Sequence, residues 1–238
     1  PFKVRKMFHH VPTIQGTVLV KEKILNFFKT KLILKNKLKN KNIKLLLNKE
    51  FRKSYLSKYD KVIISTYSNN NNVLSKLGIK NIKQFKYELV EKIVIKLPNK
   101  YKKQSFVVID GNFVCVDPYL GTSYHLLSDV KLSKIETLTS KFPNFKSSKK
   151  RYLNKGIIKN NKISRFNKFV KRSSEFLPFL IKAKYIGSMF VVRVLKKNVE
   201  KTDERTSSIV FNNRKIISIF SGKWNNCVYL AKNFKFIK

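Results

Sequence analysis

The chain has 238 residues, of which 42% are hydrophobic and 13% aromatic, so it holds enough apolar material for a core and is not expected to be disordered. Its 53 lysine and arginine residues against 13 acidic residues give a formal net charge of +40, which is typical of partners of nucleic acid or anionic membranes. No run of 18 apolar residues and no signal peptide occurs, so we expect no transmembrane helix and a cytoplasmic location.

The first third of the chain reads as an α/β segment. Helical spacing after Thr17 predicts a helix, and the apolar run Ile43–Leu47 predicts a short strand. Val62–Ile64 is a continuous apolar run between polar residues, which is typical of a strand buried on both faces. The asparagine run after it reads as a loop, and a short helix then ends at Gly78. Because Pro1 lies in the middle of a strand-like pattern, we read the chain as a piece of a longer protein.

The middle of the chain predicts an antiparallel sheet. Ile82–Pro98 alternates between apolar and polar residues, as a half-buried strand does. Two further short strands, Phe106–Ile109 and Phe113–Val116, flank Asp110-Gly111-Asn112, which is a strong signal for a tight hairpin turn. Neighbouring strands joined by hairpins indicate antiparallel pairing.

The last third begins with a long basic stretch. Ser147–Ile181 has helical spacing with many lysines, interrupted by glycine and proline. Strands are predicted again at Lys184–Leu195 and Ser207–Phe220, and a last helix near Lys223. The chain therefore closes on a strand, a loop containing glycine and a helix.

Three stretches together resemble FAD-dependent oxidoreductases of the D-amino-acid oxidase superfamily, which includes glycine oxidase. YDKVIISTYSNNN is similar to a late strand of the family's FAD-binding domain, and the run from YELVEKIVIKLP to FVCVDPYLGTSYHLLSDV is similar to its substrate-domain sheet. GSMFVVRVLKKNVEKTDERTSSI and ISIFSGKWNNCVYLAK are similar to its arginine-bearing strand and its entry to the last helix. The family's N-terminal GxGxxG is absent from this sequence.

The resemblance implies an α/β (α+β) fold, with a partial Rossmann-like FAD-binding domain and an antiparallel-sheet substrate domain. It implies that residues 1–81 belong to a discontinuous FAD-binding domain. Residues 82–206 would form the substrate domain with its basic helical insertion, and residues 207–238 would return to the FAD-binding domain.

The resemblance also implies a site for FAD at two loops. Its cofactor-binding residues would be Ser65, Thr66, Tyr67, Ser221, Gly222, Lys223, Trp224 and Asn225. In such folds the last helix points its N-terminus at the flavin, where free N–H groups and a positive charge favour electron density. Gly222 would let the backbone approach the ring, and Lys223 would add a charge. The alternative is a plain turn.

Three further residues are candidates for substrate chemistry. Arg193 lies in the apolar strand MFVVRVL, and by resemblance its planar guanidinium would bind a substrate carboxylate or phosphate; the alternative is an edge arginine facing water. Tyr87 is a candidate substrate contact. His125 is a candidate catalytic base because histidine titrates near neutral pH, and the alternative is a hydrogen-bonded strand histidine.

The expected function is that of a FAD-dependent oxidoreductase acting on a small anionic substrate. It would oxidise a C–H bond beside an amine or hydroxyl and pass hydride to flavin N5, and the electron acceptor stays unassigned. This piece of chain alone is expected to be inactive, and no metal is expected. A nucleic-acid-binding or non-catalytic binding protein is the alternative, but the lysines are spread along the chain, as an AT-rich gene would produce. Ser147–Arg172 could also contact anionic lipid as a peripheral surface.

Overall fold

The computed structural model describes residues 11, 14–39, 42–109, 113–159, 162–197 and 207–234. These residues form five α-helices: α1 (Phe27–Lys39), α2 (Asn70–Lys76), α3 (Ser147–Lys150), α4 (Phe166–Ser173) and α5 (Cys227–Asn233). They also form nine strands: β1 (Val62–Ile64), β2 (Phe85–Lys96), β3 (Phe106–Val108), β4 (Val114–Pro118), β5 (His125–Asp129), β6 (Lys134–Ser140), β7 (Lys184–Lys196), β8 (Ser207–Phe211) and β9 (Ile216–Ser221). Short 3-10 helices lie at Lys53–Lys58, Tyr67–Asn69, Asn99–Tyr101, Pro178–Lys182 and Trp224–Asn226.

The strands form two sheets. The larger sheet has the order β3-β4-β5-β2-β6, with β7 pairing with β2, and its β3–β4, β4–β5 and β2–β5 pairs are antiparallel. The smaller sheet has the order β1-β9-β8, in which β1 and β9 are parallel and β8 and β9 antiparallel. The mixed helix-and-sheet class expected from the sequence is therefore confirmed. The hairpin residues Asp110-Gly111-Asn112 lie outside the described residues.

The chain divides into two compact units. The first unit comprises Pro1–Leu45, Val90–Ile135 and Tyr152–Val191, and the second comprises Leu46–Leu89, Glu136–Arg151 and Val192–Lys238. Residues 207–238 thus share a unit with residues 46–81. The domain boundaries predicted after residues 81 and 206 concern a FAD-binding and a substrate domain, and they stay a prediction.

The core of the first unit lies between its antiparallel strands and helix α4. Its fully buried side chains come from β2, β4, β5, α4 and the turn after α4: Ile93, Ile95, Val114, Val116, Leu127, Phe169, Leu177 and Leu180. Tyr101 stacks on Phe179, with ring centroids 4.3 Å apart. This unit therefore has a dense apolar centre into which α4 directs its own apolar face.

The core of the second unit is smaller. Val62 and Ile64 of β1, Leu74 and Leu77 around α2, and Ile216 of β9 pack together and are buried. β1 pairs with β9 in the sheet, and Leu74 and Leu77 pack with the face of β1 that carries Val62 and Ile64. These two residues are therefore buried, while Ile63 on the other face is half exposed. The sequence predicted burial on both faces of β1, and only one face is buried.

Helix α2 begins earlier than expected. The asparagine run read as a loop, but α2 starts at Asn70, and both Asn70 and Asn71 are buried. Gly78 follows with a φ of +84°, a left-handed conformation that ends the helix as predicted. The run forms a helix because the side-chain amides of Asn70 and Asn71 hydrogen-bond to groups in other segments. Asparagine is otherwise typical of turns, so the sequence predicted a loop.

The N-terminal part of the described chain differs from its prediction. The helix begins at Phe27 rather than near Thr17, because the Asn26 side-chain oxygen accepts a hydrogen bond from the Lys29 N–H at 3.0 Å and caps it there. The strand predicted at Ile43–Leu47 does not form. None of the described helices is long and apolar enough to cross a bilayer.

A short segment lies along strand β7. Leu153 pairs with Phe190 and Ile158 with Ser188 as isolated bridges, and the Ile158 and Ser188 N–H groups each donate to the other's carbonyl at 2.9 Å. Gly187 permits this approach, because a Cβ there would lie 2.6 Å from Ile157 Cγ2 and 2.8 Å from the Ile158 carbonyl oxygen. Any side chain at residue 187 would displace the segment from β7.

Candidate functional site

The carboxyl ends of two parallel strands meet in the second unit. β1 and β9 run side by side, with Val62 opposite Ile216 and Ile64 opposite Ser218. Residues 65–67 follow β1, and residues 222–225 follow β9. Both sets of predicted cofactor residues therefore lie at the same edge of the sheet, which is where open α/β sheets bind ligands. We call residues 65–67 and 221–225 the strand-end edge.

Asn70 connects the two halves of the strand-end edge. Its Oδ1 accepts hydrogen bonds from the Thr66 N–H at 2.7 Å and the Thr66 hydroxyl at 3.0 Å, and its Nδ2 donates to the Ile219 carbonyl at 2.8 Å. A buried amide with these three bonds fixes the turn after β1 against β9. The sequence does not predict this role of Asn70, because a run of asparagines gives no sign of which one turns inward.

Tyr67 is held in an uncommon backbone conformation. Its φ is +53°, in the left-handed region that non-glycine residues seldom adopt. Its ring stacks on Phe220 with centroids 5.7 Å apart and an interplanar angle of 11°, and its hydroxyl accepts a hydrogen bond from the Val194 N–H at 2.9 Å. These contacts maintain a conformation that costs on the order of 1 kcal/mol, and such positions cluster at functional sites.

The outer surface of the strand-end edge is polar. Ser65, Thr66, Lys223 and Asn225 are exposed. The Ser221 hydroxyl donates to the Lys223 carbonyl at 2.8 Å and thereby shapes the loop after β9. The edge thus presents hydroxyls, an amide and an ammonium group to solvent.

Trp224 adds a flat apolar surface to the same edge. It is the single tryptophan of the chain, and it is 58% exposed. It begins a 3-10 turn, Trp224–Asn226, so that α5 starts at Cys227 rather than near Lys223. The predicted role of the start of the last helix beside a flavin stays a prediction.

A cleft of about 620 Å³ opens beside Thr66 in the second unit. Its wall includes Asn69 and Asn144 as polar groups and Phe51 and Phe142 as aromatic ones. The strand-end edge is therefore bordered by space in which part of a ligand could be accommodated.

Arg193 forms an ion pair within the second unit. Its Nε donates to Glu88 Oε2 at 2.6 Å, and a terminal guanidinium nitrogen contacts the same oxygen. The Glu88 side chain is 1% exposed and the Arg193 side chain 30% exposed. A buried carboxylate requires such a partner, so the pair accounts for Arg193 structurally, and its binding of substrate stays a prediction.

Tyr87 is buried and hydrogen-bonded. It is 1% exposed, its hydroxyl donates to the Lys141 carbonyl at 3.0 Å, and the Asn71 amide approaches the same hydroxyl at 3.3 Å. Burial raises the pKa of Tyr87 to about 12, so its phenol is neutral near pH 7. Asn71 also donates to the Lys83 carbonyl at 2.9 Å. The predicted substrate contact of Tyr87 stays a prediction.

His125 begins strand β5 in the first unit. It is 1% exposed, and its Nε2 lies 3.0 Å from the Tyr101 carbonyl oxygen, so this nitrogen carries the proton. Burial lowers the pKa of His125, and its Nδ1 has no hydrogen-bond partner among the described residues. The side chain is therefore a neutral imidazole with one unused acceptor, and its catalytic role stays a prediction.

Comparisons with known proteins gave distant structural likenesses. No family model and no curated protein matches the sequence. The structure is similar to glycine oxidase from Geobacillus kaustophilus, with a TM-score of 0.42 and 11% identity, over 70% of this chain and 37% of that one. It is also similar to an L-amino acid deaminase from Proteus vulgaris that lacks its specific insertion sequence, with a TM-score of 0.40 and 10% identity, over 69% and 34%. The chain spans about a third of the length of each.

The donor set of the strand-end edge fits part of FAD. Its hydroxyls, the Asn225 amide and the Lys223 ammonium match the sugar hydroxyls and the polar edge of an isoalloxazine ring, and the exposed Trp224 offers a face for stacking. The Thr66 N–H and hydroxyl both donate to Asn70, and the Ser221 hydroxyl donates to Lys223, so these two hydroxyls could meet a ligand only as acceptors. Among the described residues, the edge offers polar groups suited to a ring edge and to sugar hydroxyls, but no equivalent of the glycine-rich loop that cradles a pyrophosphate.

Proposed function

We propose that the chain forms part of a FAD-dependent oxidoreductase that acts on a small anionic substrate. The observation that carries the proposal is the strand-end edge, where parallel pairing of β1 and β9 unites two segments far apart in sequence. These are the segments whose residues resemble the family's cofactor-binding loops. A sheet edge with exposed hydroxyls, a lysine and an indole is suited to a flat, polar cofactor.

Each group at the edge has a distinct part in this proposal. The Ser65 and Thr66 hydroxyls would bind sugar hydroxyls, and Asn225 and Lys223 would bind the polar side of the ring. FAD, when bound, would supply the hydride acceptor. Lys223 would hold a fixed positive charge where electron density accumulates on reduction.

Arg193 supports the choice of an anionic substrate. Its guanidinium has five N–H donors, and its Nε and one terminal nitrogen face Glu88. Because Glu88 is buried, it fixes the plane of the guanidinium and leaves the partly exposed side able to receive a carboxylate. His125 remains a candidate base, although its 1% exposure favours the alternative of a hydrogen-bonded strand histidine.

The first test uses Trp224 as a reporter, because the only indole of the chain lies in the proposed site. We expect added FAD to quench its fluorescence by energy transfer to the flavin, with saturation, whereas ADP should have little effect. Lys223→Gln should weaken FAD binding about tenfold, the loss expected for one charge-assisted hydrogen bond. Lys215→Gln is the matched control, since Lys215 precedes β9 at its opposite end.

A second measurement concerns the protein purified without added cofactor. Flavin absorption bands, released into the filtrate on denaturation, would support the proposal. A colourless protein whose Trp224 fluorescence does not respond to FAD would overturn it.

A further inference from the structure

The first unit carries a segment whose apolar side chains are exposed. We call residues 18–39 the basic apolar segment; it consists of an extended stretch followed by helix α1, and no residue of α1 is buried. Large apolar residues along it are between 38% and 84% exposed: Val18, Leu19, Val20, Ile24, Leu25, Phe27, Phe28, Leu32, Ile33 and Leu34. So many large apolar side chains exposed within one short segment are uncommon on soluble proteins and indicate an interaction site.

The same segment is strongly basic. Seven lysines lie within it, at residues 21, 23, 29, 31, 35, 37 and 39, against the single acid Glu22. Lysines lie between the short apolar runs of α1, so that each exposed apolar side chain has a lysine within four residues along the helix. Long lysine stems can lie along an apolar surface while the charged end reaches water or an anion.

Among the described residues, Phe28 attaches the segment to the rest of the first unit. Phe28 packs against Tyr119, with ring centroids 5.7 Å apart, and it also covers Gly121. Leu32 and Ile33, one turn further along, are 59% and 55% exposed. The helix is therefore anchored near its start while these residues face solvent.

Three kinds of partner could bind such a surface, but only one offers both negative charges for its lysines and an apolar layer for its exposed apolar side chains. Nucleic acid offers phosphates but no apolar phase for the leucine and isoleucine side chains. A second copy of the chain would bring seven further lysines against the first seven, with like charges opposing contact. The interface of an anionic bilayer offers negative headgroups and an apolar layer together.

We propose that the basic apolar segment docks the protein on an anionic lipid surface. Leu32, Ile33 and Leu19 would enter the boundary between headgroups and acyl chains, and the lysines would bind the headgroups. This inference is independent of the proposed oxidoreductase function. It concerns a different segment from Ser147–Arg172, which the sequence alone indicated for lipid contact.

The test is co-sedimentation of the 238-residue chain with phosphatidylcholine vesicles, with and without phosphatidylserine. A first variant carries Leu19→Gln, Leu32→Gln and Ile33→Gln; a second carries Lys29→Gln, Lys31→Gln and Lys35→Gln. Glutamine preserves helix propensity, and all six side chains are exposed, so folding should not change. The control variant, Lys168→Gln, Lys171→Gln and Lys182→Gln, removes the same charge from exposed sites elsewhere in the first unit.

We expect binding only when phosphatidylserine is present. The second variant should bind about 100-fold more weakly, because each lysine near an anionic surface contributes about a fivefold change in affinity. The first variant should bind at least about tenfold more weakly through lost apolar burial, and the control should bind like the unchanged chain.

Four results would overturn the proposal. The first is absence of binding to vesicles containing phosphatidylserine. The second is binding of the first variant that equals that of the unchanged chain, which would mean that vesicle binding is only the general attraction of a basic protein to anionic lipid. The third is an equal loss in the control variant. The fourth is self-association that the first variant abolishes, without vesicle binding, which would assign the segment to contact between copies.

Discussion

Two lysine-rich helices of the first unit, α1 and α4, differ in what their apolar residues contact. In α4, Phe169 is fully buried and Phe166 packs on Tyr185. Lys168 and Lys171 are exposed, whereas Arg172 pairs with the buried Asp129. In α1, by contrast, no residue is buried. Similar composition therefore gives a core helix in one place and an exposed basic and apolar surface in the other.

The difference follows from the spacing of apolar residues. The apolar residues of α4 lie at 166, 169, 170 and, after the helix, 176 and 177, which places them on one face. Those of α1 fall at 27, 28, 32, 33, 34 and 38, which surrounds the helix with apolar groups separated by lysines. A helix without one continuous apolar face cannot bury all of its apolar residues against a single neighbour, and the remainder must meet solvent or another partner.

The largest expected effect comes from truncating the buried aromatic of α4. Phe169→Ala should lower the free energy of unfolding by about 3–5 kcal/mol, through lost burial and the cavity left behind. Phe27→Ala in α1 should change it by less than about 0.5 kcal/mol. Chemical denaturation of both variants measures the difference, and similar losses would contradict the contrast between the two helices.

A second prediction concerns the residue that fixes the start of α4. Buried Glu91 accepts a hydrogen bond from the Arg165 N–H at 3.1 Å and another from the Ser188 hydroxyl at 2.5 Å. Glu91→Gln replaces one acceptor by a donor, and we expect a loss of about 1–3 kcal/mol in unfolding free energy. Glu22→Gln, in the basic apolar segment, is the matched control and should be neutral. A neutral Glu91→Gln would show that α4 does not depend on this carboxylate.

A third prediction concerns the pH dependence of the unfolding free energy that comes from His125, which lies in the first unit outside α1. Burial lowers the pKa of His125, so the folded state holds a neutral imidazole while the unfolded chain takes up a proton below pH about 6.5. Because the unfolded state then binds more protons, the unfolding free energy should fall as pH decreases from 7 to 5, by at most about 1.4 kcal/mol per pH unit. Denaturation curves across this range measure it. His125→Gln should show a flatter dependence, and an unchanged slope would exclude His125 as the cause.

The smallest effect is expected at the cap of α1. Asn26→Ala removes the acceptor for the Lys29 N–H and should destabilise the helix by about 1 kcal/mol. Because no residue of α1 is fully buried, we expect faster hydrogen exchange of its amides with little change in the unfolding free energy of the whole chain. Unchanged exchange in α1, or a large global loss, would mean that the helix is held by packing after all.

Patterns of local spacing predicted much of the fold. The glycine that ends α2 and the apolar face of α4 are readable because each depends on residues close in sequence. The alternation in β2 predicted a strand correctly, but residues 87–91 are all buried, so the expected half-burial was wrong. The helical spacing over Ser147–Ile181 was also only partly right, because α3, α4 and a 3-10 turn are its only helical parts among the described residues. The meeting of the segments after β1 and β9 was implied by the family resemblance alone, because no local pattern identifies these two strands as parallel neighbours.

Contacts between distant residues were not readable in this way. Glu88 and Arg193 lie 105 residues apart, and nothing in either strand's pattern identifies the other as its partner. Asn70 and Asn71 stand in a uniform run, and only the positions of Ile219, Tyr87 and Lys141 decide that these two amides turn inward. The prediction of a strand at residues 43–47 was wrong. A strand needs a neighbouring strand to pair with, and a short apolar run does not show whether one is present.

The absence of a side chain at Gly187 also bears on solubility. Without the segment that carries Ile157 and Ile158, the N–H and C=O groups of β7 at Ser188 and Phe190 would form a bare strand edge. Such edges are templates for pairing with other chains. The segment therefore acts as a built-in cover against aggregation, and that protection depends on a single hydrogen atom where other residues carry a Cβ.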